Sequence, residues 1–151
     1  MQSGKDYRLF ELKEMKFGTL ICFESIFPWM ARRFVRDGAD FLVNITNDAW
    51  FGKTSGPYQH LDMVTIRAIE NRVYVLRAAN TGISAVITPT GKVENRTALF
   101  EDAAINRALP LIKIGSIYTK IGDTFAYLCL AATLIFFAMV VLQRQKSKST
   151  I

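Results

Sequence analysis

The chain has 151 residues, of which 50% are hydrophobic and 21% are charged, and this composition excludes an intrinsically disordered protein. Its net charge of +6 suggests nucleic acid or an anionic membrane surface as a partner, but the cations are dispersed and do not cluster among aromatic residues. We therefore expect no nucleic acid partner, and the length allows one domain with a core.

Strands alternate with helices in the first half of the chain, which predicts βαβ units in an α/β fold. Ser25 is a possible N-cap of the first helix, and Gly38 is expected to end it. The predicted elements are an edge strand or frayed start over residues 1–15, a strand from Lys16 to Cys22, a helix from Ser25 to Asp37, a strand from Asp40 to Thr46 and a loop from Asn47 to Pro57.

The second half predicts one more helix and then shorter extended pieces. Apolar residues at Leu61, Val64, Ala68 and Ile69 follow a helical period. The predicted elements are that helix from Tyr58 to Arg72, a strand from Val73 to Ala78, a turn from Asn80 to Gly82, a strand from Ile83 to Thr88 and a turn from Pro89 to Lys92.

The stretch from Phe125 to Leu142 holds eighteen residues without a charge. A helix of this length covers about 27 Å, close to the hydrocarbon core of a bilayer at about 30 Å. A buried core helix is the alternative interpretation. Tyr127 near one end and the basic run from Arg144 to Lys148 after the other are typical of membrane-interface anchors. We therefore predict a transmembrane helix over residues 125–142.

Cys22 stands at the end of a predicted strand and in front of a predicted helix. There the helix dipole and the unpaired N–H groups favour the thiolate, the form that attacks a carbonyl carbon. A buried structural thiol is the alternative, and it is common for free cysteine. The other cysteine, Cys129, lies in the predicted membrane helix and is not expected to pair with Cys22.

The strand that ends near Thr46 leads into an Asn47-Asp48 turn, and Trp50 and Phe51 follow directly. Adjacent parallel strands end at the same edge of an open sheet, which is where α/β proteins bind ligands. We therefore expect Cys22 and this aromatic loop to lie together.

Six segments of the chain carry a more specific pattern. They are Ile21 to Glu24, Asn44 to Gly52, Gly56 to His60, Arg67 to Glu70, Asn80 to Ala85 and Tyr118 to Asp123. In order and spacing they resemble the nitrilase superfamily of carbon–nitrogen hydrolases, and more closely its membrane-bound branch, the apolipoprotein N-acyltransferases. The similarity extends over roughly residues 16–142, and no single segment would carry it alone.

The resemblance implies the C-terminal half of an αββα sandwich, followed by one transmembrane helix. It implies an enzyme that moves an acyl chain from a phospholipid to the N-terminal cysteine of an apolipoprotein, with a thioester on Cys22 as the intermediate. It also implies a bacterial cytoplasmic membrane, with the catalytic domain on its outer face. Since the sequence has neither a metal-ligand cluster nor a glycine-rich phosphate loop, we expect no metal and no cofactor.

The chain also departs from the family pattern. The superfamily uses a Glu–Lys–Cys triad with the glutamate and the lysine well upstream of the cysteine, and only twenty-one residues precede Cys22. We assign neither role within them and expect a fragment or partial copy whose N-terminal half is a separate partner. The predicted divisions are a partial hydrolase domain over residues 1–117, a linker over 118–124, the membrane helix over 125–142 and a basic cytoplasmic tail over 143–151.

Supporting roles near Cys22 are predicted for Phe23, Glu24, Trp50, Phe51 and Asn80. Glu24 is either a helix N-terminal carboxylate or a pocket carboxylate. Trp50 and Phe51 either belong to the core or line a pocket for lipid, and Asn80 has either an Asx-turn role or a place near the pocket.

Two further polar features are expected to have structural roles and no role in catalysis. His60, the only histidine, falls in the first turn of a predicted helix, and we do not expect it to be catalytic. Arg67 and Glu70 are three residues apart on that helix and are expected to form a surface or interface ion pair.

Two other functions compete with acyl transfer. One is a nitrilase-type amidase that hydrolyses a small amide. The other is an inactive, membrane-tethered remnant, which the unassigned glutamate and lysine favour for the chain in isolation. The aromatic loop and the predicted membrane helix favour a lipid substrate.

Overall fold

The computed structural model describes residues 6–110 and 114–148, with side chains up to residue 145. It divides into two compact units, Met1–Lys120 and Ile121–Ile151. The strands are β1 (Leu9–Leu12), β2 (Met15–Ile21), β3 (Phe41–Asn47), β4 (Tyr74–Asn80), β5 (Ala85–Ile87) and β6 (Val93–Glu94). The helices are α1 (Pro28–Arg36), α2 (Gly56–Asn71), α3 (Ile117–Ile121) and α4 (Thr124–Lys148), with 3₁₀ helices at Cys22–Ile26 and Ala49–Phe51.

The six strands form one sheet in the order β1-β2-β3-β4-β5-β6. The central strands β2, β3 and β4 are parallel to each other, and the outer pairs are antiparallel. Helices α1 and α2 are the crossover connections of this parallel core, as expected for βαβ units. The carboxyl ends of β2, β3 and β4 therefore lie at one edge of the sheet.

Both crossover helices cover the same face of the sheet. The core under them is built from Leu20, Leu42 and Val75 of the strands and from apolar residues of α1 and α2. On the opposite face the side chains of Ile21 and Ile45 are 60% and 50% exposed. One layer of helices on one sheet is half of the four-layer sandwich that the sequence predicts.

The predicted helix from Ser25 to Asp37 is wrong in its first turn. The chain forms a 3₁₀ helix over Cys22–Ile26, and α1 begins only at Pro28, with Phe27 as its N-cap. A residue before proline is driven out of the α region, and Phe27 has the extended angles φ −84° and ψ 109°. Ser25 is therefore not an N-cap; its side chain is buried below Cys22.

Other boundaries differ from the sequence predictions by a few residues. Helix α2 begins at Gly56 and has Pro57 in its first turn, where proline is tolerated. Strand β5 is limited to Ala85–Ile87.

Arg67 of α2 is buried, forms an ion pair with Glu70 at 3.1 Å and donates to the carbonyl oxygen of Ile26. This pair thus ties α2 to the first 3₁₀ helix, and its arginine lies in the interior.

The last residues of the first unit are held by an arginine of α1. Arg32 donates hydrogen bonds to the carbonyl oxygens of Tyr118, Thr119 and Lys120 at 3.2, 3.0 and 2.9 Å. These carbonyls lie toward the C-terminal end of α3, where a helix leaves its acceptors unpaired and favours a cation. Arg32 thereby caps this short helix.

In α4, the stretch Thr124–Gln145 is long and apolar enough to cross a membrane, and its most apolar window is 0% buried. The sequence prediction of one apolar helix that follows an α/β unit is confirmed.

We predict that Gly18→Ala lowers the free energy of unfolding by about 1–3 kcal/mol, the usual cost of overpacking. A Cβ atom at Gly18 of β2 would overlap the ring of Phe34 in α1, and both residues lie in the interior. The check is thermal and denaturant unfolding of the chain in mild detergent. Gly115→Ala is the control, since a Cβ there meets no atom within 4 Å; equal stability of the two variants would contradict the packing argument.

Candidate active site

Cys22 directly follows β2 and is the first residue of the first 3₁₀ helix, so the chain makes a sharp strand-to-helix turn at this residue. Its φ of +52° is in the left-handed region, which costs a non-glycine residue on the order of 1–3 kcal/mol. Such a strained strand-to-helix turn presents a nucleophile at the end of a sheet. The thiol is partly exposed and is not in a disulfide.

The parallel register brings the ends of three strands to this turn. Ile21 pairs with Ile45 across β2 and β3, and Asn47 pairs with Asn80 across β3 and β4. The residues that follow β2 and β3, and the last residue of β4, therefore share one edge of the sheet. The structure thus brings Cys22 and the aromatic loop together, as the strand order requires.

Aromatic rings surround this edge. The ring of Phe23 lies 6.4 Å from Trp50, 6.5 Å from Phe51 and 5.5 Å from His60, centroid to centroid. Trp50 is 73% exposed, so it is not a core residue, whereas Phe51 is half-buried against Gly56. The aromatic side chains therefore form an apolar surface beside the thiol.

Glu24 and Asn80 lie at the same edge with different contacts. The carboxylate of Glu24 accepts a hydrogen bond from the backbone N–H of Ile21 at 2.8 Å, which is the helix N-terminal role of the two weighed above. Asn80 is exposed. Its backbone carbonyl oxygen accepts a hydrogen bond from the backbone N–H of Asp48 at 3.2 Å and one from the hydroxyl of Thr81 at 2.7 Å.

A buried polar cluster lies behind the turn, and sequence reasoning did not find it. Its members are Ser25, Asn44, Thr46, Asp48, His60 and Arg77, all of them buried. Arg77 donates to Asp48 Oδ2 at 2.7 Å, to Asn44 Oδ1 at 2.5 Å and to the carbonyl oxygen of Ile83 at 3.1 Å. The ion pair of Arg77 with Asp48 is thus held by further hydrogen bonds, as a buried charge pair requires.

His60 links this ion pair to the turn. Its Nδ1 lies 3.1 Å from Asp48 Oδ1 and 3.2 Å from Arg77 Nη2, which can only donate, and its Nε2 lies 3.2 Å from Ser25 Oγ. The hydroxyl of Ser25 donates to the carbonyl oxygen of Cys22 at 2.8 Å, and Asn44 Nδ2 lies 3.4 Å from the same oxygen. Both ring nitrogens of His60 are therefore engaged inside the protein.

Burial decides the protonation of the histidine. Removal from water and the positive charge of Arg77 lower the pKa of His60, and the hydrogen bond to Asp48 opposes this only in part. Burial also lowers the pKa of Arg77 from 12.5, against the attraction of Asp48. His60 is therefore neutral at neutral pH, and the cluster holds one cation and one anion.

A signal for the cluster is present in the sequence. Arg77 interrupts the apolar strand β4, and Asn44 interrupts the apolar strand β3. A charged side chain in the centre of a covered parallel strand must have a partner, because an unpaired buried charge is too costly. Among residues 6–110 and 114–148, no group of three His, Cys, Asp or Glu side chains is placed to hold a metal ion.

We predict that the stability of the chain falls as the pH drops below 6.5, the ordinary pKa of histidine. Because the folded state lowers the pKa of His60, the unfolded state binds more protons, so stability is retained above 6.5 and lost toward the folded pKa. The check is to measure the free energy of unfolding as a function of pH for the wild type and for His60→Asn. The loss of stability below pH 6.5 should be absent in His60→Asn. Glu94→Gln is the control: its lowered pKa acts only below 4.5.

Known proteins match this chain in sequence. The model of the carbon-nitrogen hydrolase family matches residues 1–117. The apolipoprotein N-acyltransferase of Geobacter metallireducens is 47% identical over 132 residues, which are 87% of this chain and 25% of that protein. The apolipoprotein N-acyltransferase of Rickettsia bellii is 41% identical over 128 residues, 84% of this chain and 24% of that protein. The chain spans about a quarter of the length of these relatives.

Solved structures show the same fold. Nit3 of Saccharomyces cerevisiae, described as a member of branch 10 of the nitrilase superfamily, superposes with a TM-score of 0.59 at 26% identity, over 68% of this chain and 40% of that one. An amidase from Nesterenkonia superposes with a TM-score of 0.56 at 21% identity, over 66% of this chain and 41% of that one. The chain therefore belongs to the carbon-nitrogen hydrolase family and has the nitrilase-superfamily fold.

Proposed function

We propose that this chain is the nucleophile-bearing part of an N-acyltransferase, which moves an acyl chain from a phospholipid through a thioester on Cys22 to the N-terminal cysteine of an apolipoprotein. The observation that carries the proposal is the turn at Cys22. A thiol at φ +52° at the carboxyl edge of a parallel sheet stands beside exposed aromatic rings. The relatives named apolipoprotein N-acyltransferase support this reading.

In the first proposed step, the Cys22 thiolate attacks the ester carbonyl carbon of the phospholipid and forms a tetrahedral oxyanion. The C–O bond then breaks, and the lysophospholipid leaves as an alcohol after it takes up a proton. In the second step, the amine of the acceptor attacks the thioester, the C–S bond breaks and the amine gives up a proton. The thioester divides one difficult exchange into two easier steps.

The general base, and the donor that stabilises the oxyanion, are not assigned to residues of this chain. We propose that they are the glutamate and lysine of the family triad, supplied by sequence outside these 151 residues. His60 is not a substitute, because both of its ring nitrogens contact protein groups and it is only 3% exposed. The N-terminal part of the enzyme is therefore the required partner.

The apolar surface beside Cys22 suits a long acyl chain better than a small amide. Phe23 and Trp50 are exposed there, and each would lose contact with water when a hydrocarbon chain covers it. The apolar helix α4 supports a place in a membrane. By analogy with the relatives named apolipoprotein N-acyltransferase, we propose the bacterial cytoplasmic membrane, with the catalytic unit on its outer face. The solved amidases share the fold of this chain but do not favour amide hydrolysis over acyl transfer.

The test is a chimera in which this chain replaces the matching quarter of the Geobacter metallireducens relative. We predict that the chimera takes up one acyl chain from phospholipid vesicles and that Cys22→Ser abolishes this mass increase, because a serine hydroxyl is not ionised at neutral pH. Mass spectrometry of the intact protein is the measurement. Cys129→Ser is the matched control and should acylate normally. Release of ammonia from small amides without acyl uptake would instead favour the amidase.

We predict that Trp50→Ala in the chimera weakens use of the phospholipid and leaves the chemistry intact. Full burial of a large aromatic side chain is worth about 1.5–3 kcal/mol, so the KM for phospholipid should rise by roughly tenfold or more at an unchanged kcat. Thioester formation against vesicle concentration is the measurement. Trp29→Ala is the control, because Trp29 is also exposed but packs against Tyr7 and Phe27. An unchanged KM would exclude Trp50 from the lipid surface.

A further inference from the structure

The carbonyl oxygen of Cys22 is the point at which the rest of the unit holds the turn. It accepts the hydroxyl proton of Ser25 at 2.8 Å, and the amide nitrogen of Asn44 approaches it at 3.4 Å. Asn44 also donates to the carbonyl oxygen of Leu20 at 3.0 Å. Backbone on both sides of the turn is thus bound to side chains that come from outside β2.

Each of these side chains is held in turn by the buried cluster. Asn44 Oδ1 accepts from Arg77, and Ser25 Oγ contacts His60 Nε2 at 3.2 Å. Arg77 and His60 both contact Asp48, at 2.7 and 3.1 Å. Two routes therefore lead from the Asp48 carboxylate to the carbonyl of Cys22, one through Arg77 and Asn44 and one through His60 and Ser25.

We propose that Ser25 and His60, held by the Asp48–Arg77 pair, are positioning residues that keep Cys22 in its left-handed conformation and so aim its thiol. A cysteine in the left-handed region returns to a more common backbone conformation unless contacts with its surroundings hold it there. Fixing the carbonyl oxygen fixes ψ of Cys22, and with it the direction of the Cα–Cβ bond. This inference rests on the proposed function only in taking Cys22 as the nucleophile.

A direct catalytic role does not fit these residues. Ser25 is fully buried and His60 almost so, and their polar atoms are bonded to one another and to the protein. A substrate at the outer edge of the sheet would contact Cys22 and the aromatic rings, and not the buried side chains of Ser25 and His60. The cluster therefore acts on the reaction through the backbone of the nucleophile.

Two substitutions of His60 separate positioning from stability. An asparagine amide occupies the place of Nδ1 and keeps a polar contact with Arg77 and Asp48, but it does not reach Ser25. A glutamine amide occupies the place of Nε2 and keeps an N–H donor for Ser25, but it removes the polar contact that Nδ1 makes with Arg77 and Asp48. His60→Asn should therefore disturb the turn more than the fold, and His60→Gln should disturb the fold more than the turn.

The experiment measures two quantities on each variant. One is the rate of thioester formation on Cys22 in the chimera at saturating phospholipid, together with the KM. The other is the hydrogen-exchange protection of the amides of Cys22–Ile26 in the 151-residue chain in detergent, which does not depend on acyl transfer. Ser25→Ala, which removes the direct link, is measured beside the two His60 variants.

Ser25→Ala and His60→Asn should slow thioester formation by about tenfold or more at an unchanged KM, since a misplacement on the order of 1 Å can cost about 100-fold. Their protection at Cys22–Ile26 should fall about fivefold, as for the loss of one hydrogen bond. His60→Gln should keep the wild-type rate and protection in spite of a lower midpoint of unfolding.

Asn71→Ala is the control for a buried polar side chain on the same helix. Asn71 is buried but bonds to Arg67 and Thr119, so its loss should lower stability without slowing the reaction. The proposal is overturned if the rate follows stability across all four variants, or if Ser25→Ala leaves both quantities unchanged. If the wild-type chimera forms no thioester, the proposed function fails, and the exchange data alone decide the positioning.

Discussion

The ion pair of Arg77 with Asp48 is the constraint around which the sheet edge at Cys22 is built. Both side chains are 0% exposed, and their atoms approach to 2.7 Å. Taking two charges out of water costs several kcal/mol per ion, which their attraction repays only when further hydrogen bonds satisfy the remaining atoms. Asn44, Thr46 and His60 supply polar contacts to the pair. The pair therefore dictates where β3, β4 and α2 place their polar side chains.

The strained turn at Cys22 depends on this arrangement. A left-handed cysteine persists because side chains from β3 and the 3₁₀ helix hold the backbone on either side of it. The close approach of Gly82 is part of the same packing, because a Cβ atom at that position would fall on the carboxylate of Asp48. The loop after β4 thus closes over the ion pair only because a glycine stands there. The buried ion pair, the strained backbone at Cys22 and the absence of a side chain at Gly82 therefore depend on one another.

The fold could be predicted from the sequence where a local pattern decides it. Apolar runs, helical periods and the glycine after α1 predicted β2, β3, α2 and the start of the apolar helix α4 to within a few residues. Helix α4 continues to Lys148, six residues beyond the predicted end, because the basic run after Leu142 stays helical. The first helix was misplaced because the effect of Pro28 on Phe27 outweighed the capping preference of Ser25. The polar cluster was missed because its members lie far apart in the chain and meet only through strand order. Arg77 and Asn44 within apolar strands were the local signs of it.

A neutral histidine is the form that this cluster can hold. The pair of Arg77 and Asp48 is balanced, so a proton on His60 would add an unbalanced charge to a site without water to screen it. The lowered pKa of His60 reflects this cost. In its neutral form, His60 fixes the position of Ser25 relative to Asp48 without adding a charge. In the proposed reaction, protons are therefore exchanged on the outer side of Cys22, while the buried side maintains the geometry of the nucleophile.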